Sequence, residues 1–130
     1  MKPPVPTLRF VPLLLAVLAV IAGTSAAASP LHLGLAASEP EANATIRTVS
    51  EIRLRFTEPP QNGTVAIRLV DPEGELVATS APTSDPEDGT IHFVTVSSGL
   101  PVGRYTVAWR AMGDDGHVVR GEFGFSVVDH

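Results

Sequence analysis

The segment Asp115-Gly116-His117 contains the two side chains whose types and spacing best suit chemistry. In an extended chain, residues i and i+2 point to the same side, so this carboxylate and this imidazole can converge on one point across a flexible glycine. The same tripeptide is common in polar turns, where the aspartate binds backbone amides and the histidine is solvated. Taken alone, the segment favours an ordinary turn over a binding site.

A second imidazole, that of His32, follows the apolar N-terminal part of the chain. A histidine at the very N-terminus of a chain can bind a metal through both its α-amine and its ring. With Asp115 and His117, it would supply the nitrogen and oxygen donors that suit tetragonal Cu(II). Considered alone, His32 is better explained as a solvated residue of a frayed terminus.

The other residue types exclude several kinds of chemistry. The 130 residues contain no cysteine, which excludes thiolate-bound zinc and iron–sulfur clusters. No Gly-x-Ser-x-Gly segment presents a nucleophilic serine. The remaining histidines, His92 within a predicted strand and His130 at the last position, are expected to be structural or solvated rather than ligands.

Residues 1–28 have the three regions of a secretory signal. Lys2 and Arg9 precede an apolar run, and small residues follow it. A retained membrane anchor is the alternative, but the uninterrupted apolar stretch 13–22 is shorter than the roughly 20 residues that a spanning helix needs. We therefore expect a cleaved signal and a periplasmic or secreted domain over residues 29–130.

The position of cleavage decides what His32 can offer to a metal. Cleavage after Ala28 fits the preference of signal peptidase for small residues and leaves three residues ahead of His32. Cleavage directly before His32 would free its α-amine, but Leu31 fits that preference poorly. Cleavage after Ser29 would place His32 third, where the terminus by itself can wrap Cu(II).

The predicted mature domain is acidic. The whole chain has nine basic and fourteen acidic residues, a formal charge of −5. Loss of the signal removes Lys2 and Arg9, which leaves seven basic residues against fourteen acidic ones. Such a surface excludes nucleic acid as a partner. About 100 residues remain, enough for one domain held by its core without disulfides.

Short alternating segments separated by Gly, Pro, Asn and Asp predict an all-β fold of about seven strands. Asp71-Pro72-Glu73-Gly74 predicts a type I turn, and the acidic segment 83–89 predicts a solvent loop. Leu100 to Tyr105 resembles a tyrosine corner of an immunoglobulin-like β-sandwich. The predicted strands cover residues 52–56, 64–70, 75–79, 90–96, 103–112 and 118–128.

From His32 to about Val128, the sequence resembles the CopC family of exported copper-resistance proteins. The match begins with His32 and continues through the strand Ile52-Arg53-Leu54-Arg55-Phe56 with its following Thr57-Glu58-Pro59. Its most specific part is Leu100-Pro101-x-Gly103-x-Tyr105-x-Val107-x-Trp109-Arg110, followed by Asp115-Gly116-His117 and Gly121-x-Phe123-x-Phe125-x-Val127. So long an ordered string is far more specific than the tripeptide alone.

The resemblance implies a cupredoxin-like Greek-key β-sandwich that binds Cu(II) through His32, Asp115 and His117. It further implies a monomeric, non-enzymatic protein that sequesters copper or passes it to a CopD-like membrane copper transporter. Family members with a Cu(I) site have a methionine-rich loop, whereas Met112 is the single methionine after the signal. We therefore expect a protein that binds Cu(II) alone.

Two other functions remain open from the sequence. A histidine at the N-terminus together with a second histidine resembles the histidine brace of oxidative copper enzymes, although Asp115 would fill a coordination position that oxygen chemistry needs open. The other alternative is a metal-free, immunoglobulin-like accessory domain in which Asp115-Gly116-His117 is only a turn.

Overall fold

The computed structural model describes residues 2–4 and 32–129. Residues 1, 5–31 and 130 lie outside it, and with them the predicted cleavage positions, most of the predicted signal and His130. Within the described residues, no helix is long and apolar enough to cross a membrane. The nine strands are β1 (Leu35–Glu39), β2 (Thr45–Ile46), β3 (Glu51–Phe56), β4 (Ala66–Val70), β5 (Leu76–Val77), β6 (Thr83–Asp85), β7 (Asp88–Thr95), β8 (Gly103–Met112) and β9 (Val118–Val127).

The strands form two sheets that share one apolar core. One sheet has the order β1-β3-β7-β6 and the other the order β2-β9-β8-β4-β5. All named strand pairs are antiparallel except β2 with β9, which is parallel. The predicted β-sandwich is therefore confirmed.

The strict alternation of apolar and polar residues explains why the central strands form. In β3, Ile52, Leu54 and Phe56 are almost fully buried, and the intervening Arg53 and Arg55 point away from the core. The longer strands of the other sheet repeat the pattern, since alternate residues of β8 from Tyr105 to Ala111 are buried. Each strand thus has one apolar face, and the two apolar faces pack together.

Several strand predictions need correction. The segment 83–89, predicted as a loop, contains β6 and the start of β7. The prediction failed because β6 is an edge strand whose apolar content is low, and tertiary contacts hold it: Arg53 donates a 2.7 Å hydrogen bond to Asp85. The strands β1, β2 and β6 lie outside the six predicted ranges, so the sandwich has nine strands rather than about seven, and β5 is shorter than predicted.

Two predicted turns are confirmed. The hydroxyl of Tyr105 donates a 2.7 Å hydrogen bond to the carbonyl of Pro101, as in a tyrosine corner. The amide of Gly74 donates to the carbonyl of Asp71 over 3.0 Å, which closes the four-residue turn between β4 and β5.

His92 lies in the middle of β7, on the side of the strand that faces the core. Its ring packs edge-on against Phe56, with 5.9 Å between ring centroids. Its Nδ1 atom is buried and has no hydrogen-bond partner among the described residues. Burial lowers the pKa of His92 below its ordinary value of 6.5.

This burial predicts a loss of stability on acidification. Because the pKa of His92 is lower in the folded state than in the unfolded chain, the unfolded chain binds more protons as the pH falls below about 6.5. The free energy of unfolding should therefore decrease from pH 7.5 to pH 5, and the decrease should be smaller in His92→Phe. Urea denaturation followed by the fluorescence of Trp109, the single tryptophan, measures both. An identical decrease in the two proteins would contradict the prediction.

Candidate metal centre

The connection between β8 and β9 presents Asp115 and His117 together. The amide of Gly113 donates to the carbonyl of His117 over 3.1 Å, and the amide of Gly116 donates to the carbonyl of Gly113 over 2.9 Å. Gly116 has a φ of 80°, in the left-handed region that favours glycine. The sequence Gly-Asp-Asp-Gly-His therefore forms a tight loop that closes the two longest strands.

His32 reaches the same end of the sandwich from the N-terminal side. The next residue, Leu33, is buried in the core and only 2% exposed. Gly34 then pairs with Thr57, since its amide donates to the Thr57 hydroxyl over 2.9 Å and its carbonyl accepts from the Thr57 amide over 2.8 Å. His32 is thus attached directly to an anchored segment.

The structure brings all three predicted site residues together. The Nδ1 atom of His32 lies 3.1 Å from Oδ2 of Asp115, and the Nδ1 atom of His117 lies 2.9 Å from the same oxygen. The two imidazole rings are nearly perpendicular, at 73°, with 5.8 Å between their centroids. One potential ligand atom from each residue lies within 4.8 Å of the other two.

The carboxylate of Asp115 is held in its ionised form. The contact with the His117 ring is the main cause that lowers its pKa to about 2, and the His117 amide, which donates to Oδ1 over 3.0 Å, adds to it. His32 lowers the pKa further, and partial desolvation opposes the shift. The side chains of His32 and His117 are 67% and 73% exposed, so the cluster is open to solvent. It can accept a cation directly from solution.

Two polar residues that the sequence did not single out support the loop. The side-chain amide of Gln61 donates to the carbonyl of Gly113 over 2.8 Å, and its backbone amide donates to the carbonyl of Met112. The hydroxyl of Thr64 donates to the Gln61 carbonyl and accepts from the Met112 amide. The connection between β3 and β4 therefore holds the base of the loop, although nothing in its local sequence indicates this.

A second carboxylate, that of Glu58, borders the cluster. A β-carbon placed on Gly113 would lie 3.2 Å from Oδ1 of Asp115, 3.3 Å from Oε1 of Glu58 and 3.4 Å from the β-carbon of Leu33. The hydrogen atoms of Gly113 therefore occupy the narrow space between the N-terminal segment and the two carboxylates. Glu58 belongs to the segment that carries the family resemblance, but it was not among the predicted site residues.

His92 stands apart from the cluster. Among the described residues, the group of possible metal ligands consists of His32, Asp115 and His117. Met112 is half-buried at the end of β8, where it pairs with Val118.

The fold and the cluster of His32, Asp115 and His117 together define a class of protein. Its members are small β-sandwich proteins that carry a histidine–carboxylate cluster on the loops at one end. Within that class, the chain belongs to the CopC domain family, whose family model matches residues 35–128. The matched span includes Asp115 and His117 and begins three residues after His32. The predicted family resemblance and the cupredoxin-like β-sandwich are both confirmed.

Two relatives of this chain are named for copper resistance and for copper transport. It is 33% identical over 119 residues to copper resistance protein C of Xanthomonas campestris pv. juglandis, a match that covers 85% of this chain and 91% of the relative. It is 30% identical to protein YobA of Escherichia coli K12 over 74% of this chain and 78% of YobA. It is 28% identical to copper transport protein CutJ of Bacillus subtilis over 74% of this chain but 18% of CutJ.

Solved structures share the fold. CopC from Methylosinus trichosporium OB3b superposes with a TM-score of 0.67 at 26% identity, covering 74% of this chain and 93% of that one. PcoC of Escherichia coli, a methionine-rich copper resistance protein, also superposes with a TM-score of 0.67, at 25% identity, covering 75% of this chain and 99% of that one.

The tight space around Gly113 leads to a prediction. In Gly113→Ala, the new methyl group should displace the Asp115 or the Glu58 carboxylate, because its carbon would lie 3.2 Å and 3.3 Å from their oxygens, closer than ordinary van der Waals distances. We expect weaker metal binding, by about tenfold or more, as for residues that orient ligands. Cu(II) titration followed by circular dichroism measures both affinity and fold.

Gly99→Ala is the matched control, because a β-carbon there meets no atom within 4 Å. It should bind metal like the wild type. Wild-type affinity in Gly113→Ala would contradict the role given to this position.

Proposed function

We propose that this chain is an exported Cu(II)-binding protein, which sequesters copper or delivers it to a membrane transporter. The observation that carries the proposal is the convergence of two imidazole nitrogens and one ionised carboxylate within 4.8 Å at a solvent-exposed end of the fold. The membership in a family with copper resistance proteins supports copper as the cargo.

The donor atoms fit Cu(II) better than Cu(I). Imidazole nitrogen and carboxylate oxygen suit Cu(II), whereas Cu(I) prefers thiolate and thioether sulfur. The sequence contains no cysteine, and Met112 is the single methionine of the predicted domain. Because a metal–nitrogen bond is about 2 Å long, two nitrogens that bind one ion lie at most about 4 Å apart. Small rotations of the exposed rings would bring His32 and His117 to that spacing.

Binding, rather than catalysis, is the activity that this donor set favours. Oδ2 of Asp115 contacts both imidazoles, so a bound ion would have the carboxylate among its ligands. A copper oxygenase needs an open coordination position at that point. The relatives whose names state a role are named for copper resistance and transport.

Export and delivery complete the proposal. We assign residues 1–28 to a cleaved signal and residues 29–130 to a monomeric copper-binding domain in the periplasm or outside the cell. A sequence similar to this chain occurs within the longer protein CutJ, named a copper transport protein. That arrangement supports a CopD-like membrane transporter as the partner that receives the ion.

Removal of one ligand should weaken Cu(II) binding without unfolding the protein. Because the three side chains are exposed or half-exposed, His117→Ala and Asp115→Ala should keep the β-sandwich and lose at least about 100-fold in affinity, more than second-layer changes cost. Competition titration with a chelator of known affinity measures the loss, and electron paramagnetic resonance counts the nitrogen ligands of Cu(II).

His92→Phe is the matched control, since it removes a histidine outside the cluster. Its affinity should equal that of the wild type. Equal loss in His92→Phe and His117→Ala, or no binding of Cu(II) by the wild type, would contradict the proposal and favour the metal-free domain.

The mature N-terminus decides whether His32 supplies one nitrogen or two. Cleavage after Ala28 predicts a protein that begins at Ser29 and binds through the His32 ring alone. Intact mass spectrometry of the exported protein measures the terminus directly. A mass that begins at His32 would show an additional chelating amine, and an uncleaved chain would contradict the predicted domain boundaries.

A further inference from the structure

The outer face of the five-stranded sheet is basic although the protein is acidic. The residues of β4, β8 and β9 that alternate with core residues point to this face, and four of them are arginines: Arg68, Arg104, Arg110 and Arg120. Within these three strands, Glu122 is the acidic residue of that face. Residues 29–130 contain seven arginines and fourteen carboxylates, so the basic residues are concentrated here.

Three of these guanidinium groups lie together, and Glu122, which pairs with Ala108 on the same face, makes no salt bridge with them. Arg68, Arg110 and Arg120 line one surface depression together with Ala66, Ala108 and Trp109. Among residues 32–129, the salt bridges involve Arg53, His32 and His117, and none involves these three arginines. We call Arg68, Arg110 and Arg120 the arginine face. Arg104 differs, because it donates a hydrogen bond to Asn43.

The arrangement disfavours a purely structural role. Arg110 and Arg120 are directly opposite each other in the antiparallel pairing of β8 with β9. Like charges at opposite positions destabilise a sheet. Both residues are exposed, and neither has a salt-bridge partner in the described part of the chain. The fold thus keeps two cations at a position where one cation and one anion would be more stable.

We propose that the arginine face is a docking surface for an acidic segment of another protein. Guanidinium groups bind carboxylates through paired hydrogen bonds, and three of them around one depression match a segment with several carboxylates. Ala66 and Ala108, which pair with Arg110 and Arg68, have small side chains that leave room for an extended backbone to approach the sheet. Charge complementarity therefore selects the partner.

An anionic membrane fits the face less well. The net charge of the domain is strongly negative, so a charged plane would repel most of the molecule. Proteins that lie on membranes also insert Trp, Phe or Leu side chains. The outward residues of β4, β8 and β9 include none of these three types, although Val118 is 46% exposed. A local acidic segment can instead engage the arginine face alone.

The face lies beside the metal centre. In the β8–β9 pairing, Arg110–Arg120 is two residue pairs away from Met112–Val118, the pair next to the loop. Two residues of a strand span about 7 Å. An acidic segment bound there would hold its protein next to the loop that contains Asp115 and His117. The binding itself does not depend on the metal, so it can be tested on the metal-free protein.

The experiment measures binding of fluorescein-labelled decaglutamate to this protein, prepared without metal, by fluorescence anisotropy at low salt. R110S/R120S should weaken binding at least about tenfold, because charge-assisted hydrogen bonds are lost. R47S/R55S removes the same charge from other exposed positions and should stay within about twofold of the wild type. No binding by the wild type, or equal weakening by both double variants, would overturn the proposal.

Charge reversal separates binding from folding. R120E places a carboxylate opposite Arg110, so it should raise the urea midpoint of unfolding while it weakens decaglutamate binding. A lower midpoint together with weaker binding would assign the arginines to folding and overturn the proposal. Tighter, arginine-dependent binding to phosphatidylglycerol vesicles than to decaglutamate, or arginine-dependent dimerisation, would also overturn it in favour of a lipid or a second copy.

Discussion

The ten-residue pairing of β8 with β9 is the interaction on which the rest of the structure depends. It runs without a break from Gly103–Val127 to Met112–Val118. One face of this ladder supplies much of the core, including Trp109 and Phe125. Its closed end forms the loop with Asp115 and His117, and its other face carries the paired arginines. A shift of register by one residue would turn the apolar side chains of one strand to the outer face and its polar side chains to the core. Neither the core nor the arginine face would then form.

Close packing of Trp109 against β9 fixes this register. The indole lies across Gly121, so that a β-carbon there would be 2.6 Å from a ring atom. The same ring packs edge-on against Phe56 of the opposite sheet, at 5.5 Å between centroids. Trp109 therefore connects the β8–β9 pair to the opposite sheet. Gly121 makes this possible, because the absence of a side chain at that position leaves space for the indole ring. The candidate metal centre depends on this packing for its position, because its own side chains are exposed and exposed polar contacts contribute little to stability.

The alternation of apolar and polar residues predicted the strands that bury one face in the core. β3, β8 and β9 alternate strictly, and their boundaries agree with the sequence to within one residue. β6 could not be predicted in this way, because its pairing depends on contacts such as that of Asp85 with Arg53, 32 residues away. The candidate site shows the same limit. Spacing alone favoured a turn at Asp115-Gly116-His117, and the family resemblance was needed to join it to His32.

The support around the site was missed for a related reason. Gln61 reaches Gly113 across 52 residues of sequence, and Glu58 approaches the same glycine from the end of β3. Neither residue has a local signature, because each acts through the three-dimensional meeting of two loops. Both loops end strands that belong to the core, so the positions of Asp115 and His117 follow from hydrophobic packing. The cluster is consequently open to solvent and still held in place, since the backbone of the sandwich, rather than the histidine–aspartate contacts, determines where Asp115 and His117 lie.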